Sequence, residues 1–197
     1  MIATNVGEFS ASGNAPLLRE WHIPSRVTIE TLHGCNAKCV MCPLSLPPKR
    51  KKGKMSMDLF TKIVNDLEPH RNHLTMIDLF GLGEPLLDPL IFDRIRLLKK
   101  YRFTGIGFST NADLLDHDKA EEVIFSGLDN IIISIDGVRK ETHEAIRKNT
   151  SFERVINNTL HFLSIRRDIR KGSRVVIRFI RQDSNRDEWD SFRSFWH

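Results

Sequence analysis

Cysteine is scarce in this 197-residue chain: there are three, Cys35, Cys39 and Cys42. An odd count this small speaks against a disulfide framework. No apolar run approaches the roughly 18–20 residues that a membrane-crossing helix needs. The opening residues "MIATNVGEFS" have neither the basic nor the apolar region of a signal peptide. The expected compartment is therefore the cytoplasm, where thiols stay reduced. The chain has no internal repeat and no low-complexity segment.

What is present is ordinary in amount and uneven in placement. Hydrophobic residues make up 40% and charged residues 28% of the chain, as in a typical globular protein. The length suits one domain or slightly more, with enough chain to bury a core. Residues 1–20 are polar and read as a loose arm; residues 21–197 read as the folded unit. Much of the net charge of +5 sits in "KRKKGK" at 49–54, five cations in six residues. Such a run is a solvated loop, or a patch that steers an acidic partner. No aromatic residue interleaves with the cations, which argues against a nucleic-acid stacking surface.

The hydrophobic periodicity predicts alternating strands and helices. Strands are expected at "RVTIETL" from Arg26, "TMIDLFG" from Thr75, "GIGFST" from Gly105, "NIIISIDG" from Asn130 and "RVVIRFI" from Arg174. The helix after the first strand has Ser56 as its cap and Asp58 in its first turn. The second helix has Asp88 as its cap and Pro89 at its first position. The third stops at Gly127. A fourth covers "SFERVINNTLHFLSIRR", and a last one runs from "NRDEW" to the end. Five β/α repeats imply an α/β fold with a parallel sheet.

In such sheets, chemistry gathers where the strands end. Here the five strand ends lead into "HGCNAKCVMC", "GLGEP", "STNA", "SIDG" and "RQDSN". Small, polar or ligating residues thus share one edge. The helix-to-strand connections on the other edge are generic turns.

Three thiols in an eight-residue window admit several readings. Structural zinc could take them with His33, although such sites usually join two separated ligand pairs. Ordinary buried thiols are possible, but "NAK" between two of them is not a core sequence. An iron–sulfur cubane normally takes four thiolates. With three, one iron keeps an open position for a substrate or cofactor.

The pattern Cys35-x3-Cys39-x2-Cys42 on the loop after a first strand resembles the signature of radical S-adenosylmethionine (radical SAM) enzymes. "GLGEPLLDP" resembles that family's glycine-rich acidic segment, and "FSTNA" its third-strand polar element. "SIDGVRKETHEAIRKNTSFERVINN" resembles the branch of sulfatase-maturing and peptide-modifying (SPASM-type) enzymes. The resemblance spans about residues 26–190. It implies a partial parallel (β/α) barrel of which five units are visible and a sixth is missing.

It also implies a mechanism. The three cysteines would hold a [4Fe-4S] cluster whose open iron chelates S-adenosylmethionine. An electron from a donor such as flavodoxin or ferredoxin would cleave the cofactor to a 5′-deoxyadenosyl radical, which takes a hydrogen atom from a peptide or small-molecule substrate. Oxidoreductase, maturase and isomerase chemistry all stay open. A zinc- or cluster-stabilised binding module is the competing class.

The implied cofactor residues are Met41, Gly81, Gly83, Glu84, Ser109, Asn111, Ser134, Asp136, Arg147 and Arg181, with Asn185 a weaker candidate. Four of them have a plainer reading: Glu84 as an exposed loop acid, Ser109 and Asn111 as turn formers, Arg147 as a surface cation. Two residues depart from the pattern. Leu82 stands where a glycine is usual, and Met41 where an aromatic is. The aromatic stripe Trp189, Phe192 and Trp196, with Phe195 beside it, is expected to need a cover. The core therefore reads as incomplete at its C-terminal end, its missing wall coming from the rest of a longer chain, a partner chain or a homodimer.

Overall fold

The structure is a computed structural model that describes residues 24–46, 51–167 and 172–196. The arm read at 1–20, and Lys49 and Arg50 of the basic run, lie outside the described residues. Five strands form the main sheet: β1 (Arg26–Thr28), β2 (Met76–Asp78), β3 (Ile106–Thr110), β4 (Asn130–Ser134) and β5 (Arg174–Arg178). They lie side by side in chain order and every pairing is parallel. The helices between the strands pack their apolar residues into one core with the sheet, the one-sided arrangement that right-handed crossovers between successive neighbours give. The result is an α/β partial barrel.

Strand parity separates the two faces. Ile77, Ile106, Phe108, Ile131 and Ile133 are fully buried with α1 (Met57–Leu67), α2 (Ile91–Lys100), α3 (His117–Phe125) and α5 (Phe152–Arg167). The alternate residues of the same strands, including Ser109, Ser134 and Arg178, face the concave side. Val176, also on that side, is 39% exposed. The concave face is thus open at its β5 edge.

Local signals set most boundaries. The Ser56 hydroxyl accepts a bond from Leu59 N at 3.2 Å and caps α1. Asp116 caps α3 in the same way. Gly127 ends α3 at φ +82°, a left-handed conformation that glycine adopts without strain. The start of α2 is a correction. Asp88 Oδ1 does accept from Leu90 N at 3.0 Å, but the helix begins at Ile91, so Pro89 lies in the turn before it.

Three features were not anticipated. A separate short helix, α4 (Lys140–Ile146), precedes α5. Leu32–His33 pairs antiparallel with Gly53–Lys54. Lys38–Cys39 pairs antiparallel with Arg147–Lys148. The final aromatic stripe is largely covered by the chain itself: in α6 (Trp189–Trp196), Phe192 is buried and packs 4.6 Å from the Phe179 ring. Phe195 stays exposed. No described helix is long and apolar enough to cross a membrane.

Candidate active site

The loops after the strands meet in one pocket of about 180 Å³ at the C-terminal ends of the strands. Cys35, Cys39 and Cys42 form one side, together with Met41. Gly81, Gly83, Glu84, Ser109, Asn111, Ser134 and Arg147 complete most of the rest. Four wall residues escaped the sequence reading: Phe80, Thr110, Arg178 and Ile180.

Several bonds stitch the cysteine loop to its neighbours. Glu84 N donates to Gly34 O at 2.8 Å. A Cβ on Gly83 would stand 2.2 Å from the Leu32 carbonyl oxygen, so only glycine permits this approach. Asn36 Nδ2 donates to Asp113 Oδ2 at 3.1 Å, and Asn111 Nδ2 donates to Asn36 Oδ1 at 3.0 Å. Val40 N donates to Ile146 O at 2.9 Å. Leu82 does not disturb the glycine-rich turn: its N–H donates to Glu30 Oε1 at 3.0 Å, and it avoids positive φ.

Glu84 is buried, not an exposed loop acid. Its carboxylate accepts from Thr110 Oγ1 at 2.7 Å, Asn111 N at 2.8 Å and Leu86 N at 3.2 Å. Burial raises its pKa, and these three donors oppose the rise. Arg147 is also buried. Its Nη2 lies 2.8 Å from Asp136 Oδ2 in a charge contact rather than an aligned hydrogen bond. Arg178 Nη2 donates to Ser109 Oγ at 2.6 Å and Ser134 Oγ at 3.0 Å. Burial, and then the neighbouring Arg147 charge, lower its pKa.

Two predicted positions are placed differently. Asp136 is not on the pocket wall. It is fully buried, where its Oδ1 accepts from Ile180 N at 2.7 Å and it faces Arg147. It acts on the pocket only through those partners. Arg181 points away, its guanidinium 5.7 Å from the Trp189 ring. Arg178, three residues earlier, takes the place on the concave face. Its signal was parity: an arginine inside an apolar strand, two steps from Val176 and four from Arg174. Asn185 is buried and braces the turn, donating to Asp136 O at 3.1 Å and Ile180 O at 3.0 Å.

The thiols carry their own electrostatics. Burial pushes the Cys35 thiol up to about 11. Cys39 is also raised by burial, against the pull of Arg147. Both are protonated at neutral pH without metal, so ligation must displace protons. Among the described residues, no three His, Cys, Asp or Glu side chains converge as for a single metal ion. A cubane, with irons at separate corners, holds its thiolates farther apart than one ion does.

Behind the pocket, His143 is buried, with Asp136 N donating to its Nδ1 at 3.4 Å. Burial, helped by Arg147, lowers its pKa from 6.5 to about 4. The folded state therefore holds it neutral. Its contribution to stability is full above pH 6.5 and is lost as pH falls through 4, about 3 kcal/mol in all. In a His143→Gln variant, urea unfolding across pH 7 to 4 should show a correspondingly shallower acid-side loss than the parent protein. An unchanged slope would assign the loss to other groups.

The sequence profile of the Radical SAM superfamily matches residues 29–178, and the chain belongs to that superfamily. The chain is 36% identical over 108 residues to the tungsten-containing aldehyde ferredoxin oxidoreductase cofactor-modifying protein of Pyrococcus furiosus, covering 55% of this chain and 30% of that one. It is 27% identical over 151 residues to the mycofactocin maturase MftC of Mycobacterium tuberculosis, covering 77% and 35%. It thus spans about a third of the length of these curated relatives.

Among solved structures, anSMEcpe with bound AdoMet aligns with a TM-score of 0.68 at 20% identity, over 87% of this chain and 46% of that one. Streptococcus suis SuiB bound to precursor peptide SuiA aligns at 0.65 and 16%, over 86% and 36%. These likenesses show a shared fold.

The superfamily's cofactors are a [4Fe-4S] cluster and S-adenosylmethionine, and the residues present fit both. Three thiols line one side of the pocket. Arg147 Nε and Arg178 Nε are buried beside it without a partner.

Proposed function

We propose that this chain is the S-adenosylmethionine-cleaving part of a radical enzyme whose substrate is a peptide. One observation carries the reading: a single pocket joins three thiols on one loop to a wall of two serines and two arginines. When bound, the cofactor pair supplies one-electron C–S cleavage and with it the capacity to take a hydrogen atom.

The protein's residues bind and orient. Cys35, Cys39 and Cys42 would hold the cluster. Gly83 lets the glycine-rich loop close on the Leu32 backbone and Gly81 lets it close on Glu30, which sets this wall of the pocket opposite Met41 and the thiols. Glu84 keeps the walls of β2 and β3 together, its oxygens being occupied by Thr110, Asn111 and Leu86. Ser109, Ser134 and Arg178 form a charge-assisted cradle for the cofactor's carboxylate. Arg178→Leu should retain the cluster and bind S-adenosylmethionine roughly 10- to 100-fold more weakly in calorimetric titration, the loss of one charge-assisted contact. Unchanged affinity would remove Arg178 from the cradle.

The electron donor is an acidic carrier of flavodoxin or ferredoxin type. Lys51, Lys52 and Lys54 are exposed, and none is ion-paired among the described residues. Lys52 and Lys54 line a groove with Cys35 at its edge. The peptide reading is supported by two relatives, a maturase and a protein solved with a precursor peptide. It is tested with extracts of cells grown in heavy water, split into peptide and small-molecule fractions. Deuterium should reach 5′-deoxyadenosine from the peptide fraction. Transfer only from the small-molecule fraction would overturn the peptide assignment.

A further inference from the structure

Two of the three thiols have an N–H donor aimed at sulfur, and both donors are buried. Asn111 Nδ2 lies 3.8 Å from Cys35 Sγ, and Arg147 Nη1 lies 3.7 Å from Cys39 Sγ. Both distances suit N–H bonds to sulfur, whose radius is larger than oxygen's. Each donor is fixed from behind. Asn111 Oδ1 accepts from Asp113 N at 3.0 Å, and its backbone N–H is held by Glu84. Arg147 pairs with Cys39 through the backbone ladder and meets Asp136 at 2.8 Å. Asp136 is in turn held by Ile180 N. A side chain held this way is placed before any ligand arrives.

We propose that Asn111 and Arg147 set the reduction potential of the cluster by donating N–H bonds to the thiolates of Cys35 and Cys39, with Asp136 limiting the effect of the Arg147 charge. This rests on the reading that the three cysteines hold a [4Fe-4S] cluster. Reduction by one electron adds negative charge that spreads onto the sulfurs. Donors and a fixed cation stabilise that reduced state more than the oxidised one, and so raise the potential. Asp136 offsets part of the cation, and so lowers it. Arg147 keeps its Nε–H for a bound ligand, which leaves the Nη1 contact to sulfur undisturbed.

The test is a redox titration of the reconstituted full chain, without S-adenosylmethionine, followed by the electron paramagnetic resonance signal of the reduced cluster. Asn111→Ala and Arg147→Gln should move the midpoint to lower potential. Asp136→Asn, which removes the opposing charge, should move it higher. A general loosening of the loop would not produce opposite signs. Midpoints equal to the parent's, or all three shifted the same way, would overturn the proposal. A variant that no longer holds four irons would assign its residue to building the loop and overturn the proposal for that residue. Failure of the unsubstituted chain to assemble a cluster would instead remove the cofactor reading beneath it.

Discussion

A Cys39→Ala variant is expected to hold no [4Fe-4S] cluster and to form no 5′-deoxyadenosine. Three thiolates already leave one iron without a cysteine, and two leave half of the cubane unheld. The chain has no fourth cysteine to substitute. Cys39 sits in a two-residue ladder against Arg147–Lys148, and its carbonyl accepts from Cys42 N at 3.0 Å and Ser45 Oγ at 2.6 Å. The substitution leaves that backbone intact, so the loss falls on the metal centre rather than on the fold. Iron per chain, visible absorption and product yield report it together. Unimpaired cleavage by this variant would end the radical-enzyme account.

The second large effect falls on stability. Asp88 and Arg94 form an ion pair at 3.0 Å in which both side chains are fully buried. Asp88 ends the turn that follows Glu84 and also binds Leu90 N. Arg94 reaches from α2 to Met55 O at 2.5 Å and lies 4.9 Å over the Phe60 ring. Removing the carboxylate strands a buried cation. Asp88→Ala is therefore expected to destabilise the fold by about 3–5 kcal/mol in urea unfolding. The double variant Asp88→Ala/Arg94→Leu, which removes both charges, should recover part of that loss. A single-variant change below about 1 kcal/mol would show that water or a relaxed neighbour solvates Arg94.

The parallel sheet was legible because each strand is an apolar run separated from the next by a helix. Ser56 and Gly127 act where the sequence pattern puts them. The thiol loop and the glycine-rich loop were legible from residue type and from position after a strand. Other features were not.

The two-residue ladders that pin the cysteine loop have no periodicity of their own, because two residues are too few to show one. Helix α4 lay hidden in the connection before α5, since its seven residues bury only His143 and Ile146. The placement of Arg178, rather than Arg181, on the pocket wall followed from strand parity, which loop position alone does not show. Asp136 shares the parity of Ser134, which places both at the same strand edge. The chain leaves the strand at Ser134, and the Asp136 side chain turns to the Ile180 amide instead. Ala112, at φ +58° in the polar turn after β3, carries no sequence signal of its left-handed backbone.

The most direct test of the central claim is anaerobic reconstitution with iron and sulfide, followed by dithionite and S-adenosylmethionine, with 5′-deoxyadenosine quantified. The account predicts about four irons per chain and 5′-deoxyadenosine formed only when cluster, reductant and S-adenosylmethionine are all present. A protein that takes up zinc in place of a cluster and yields no 5′-deoxyadenosine would contradict it.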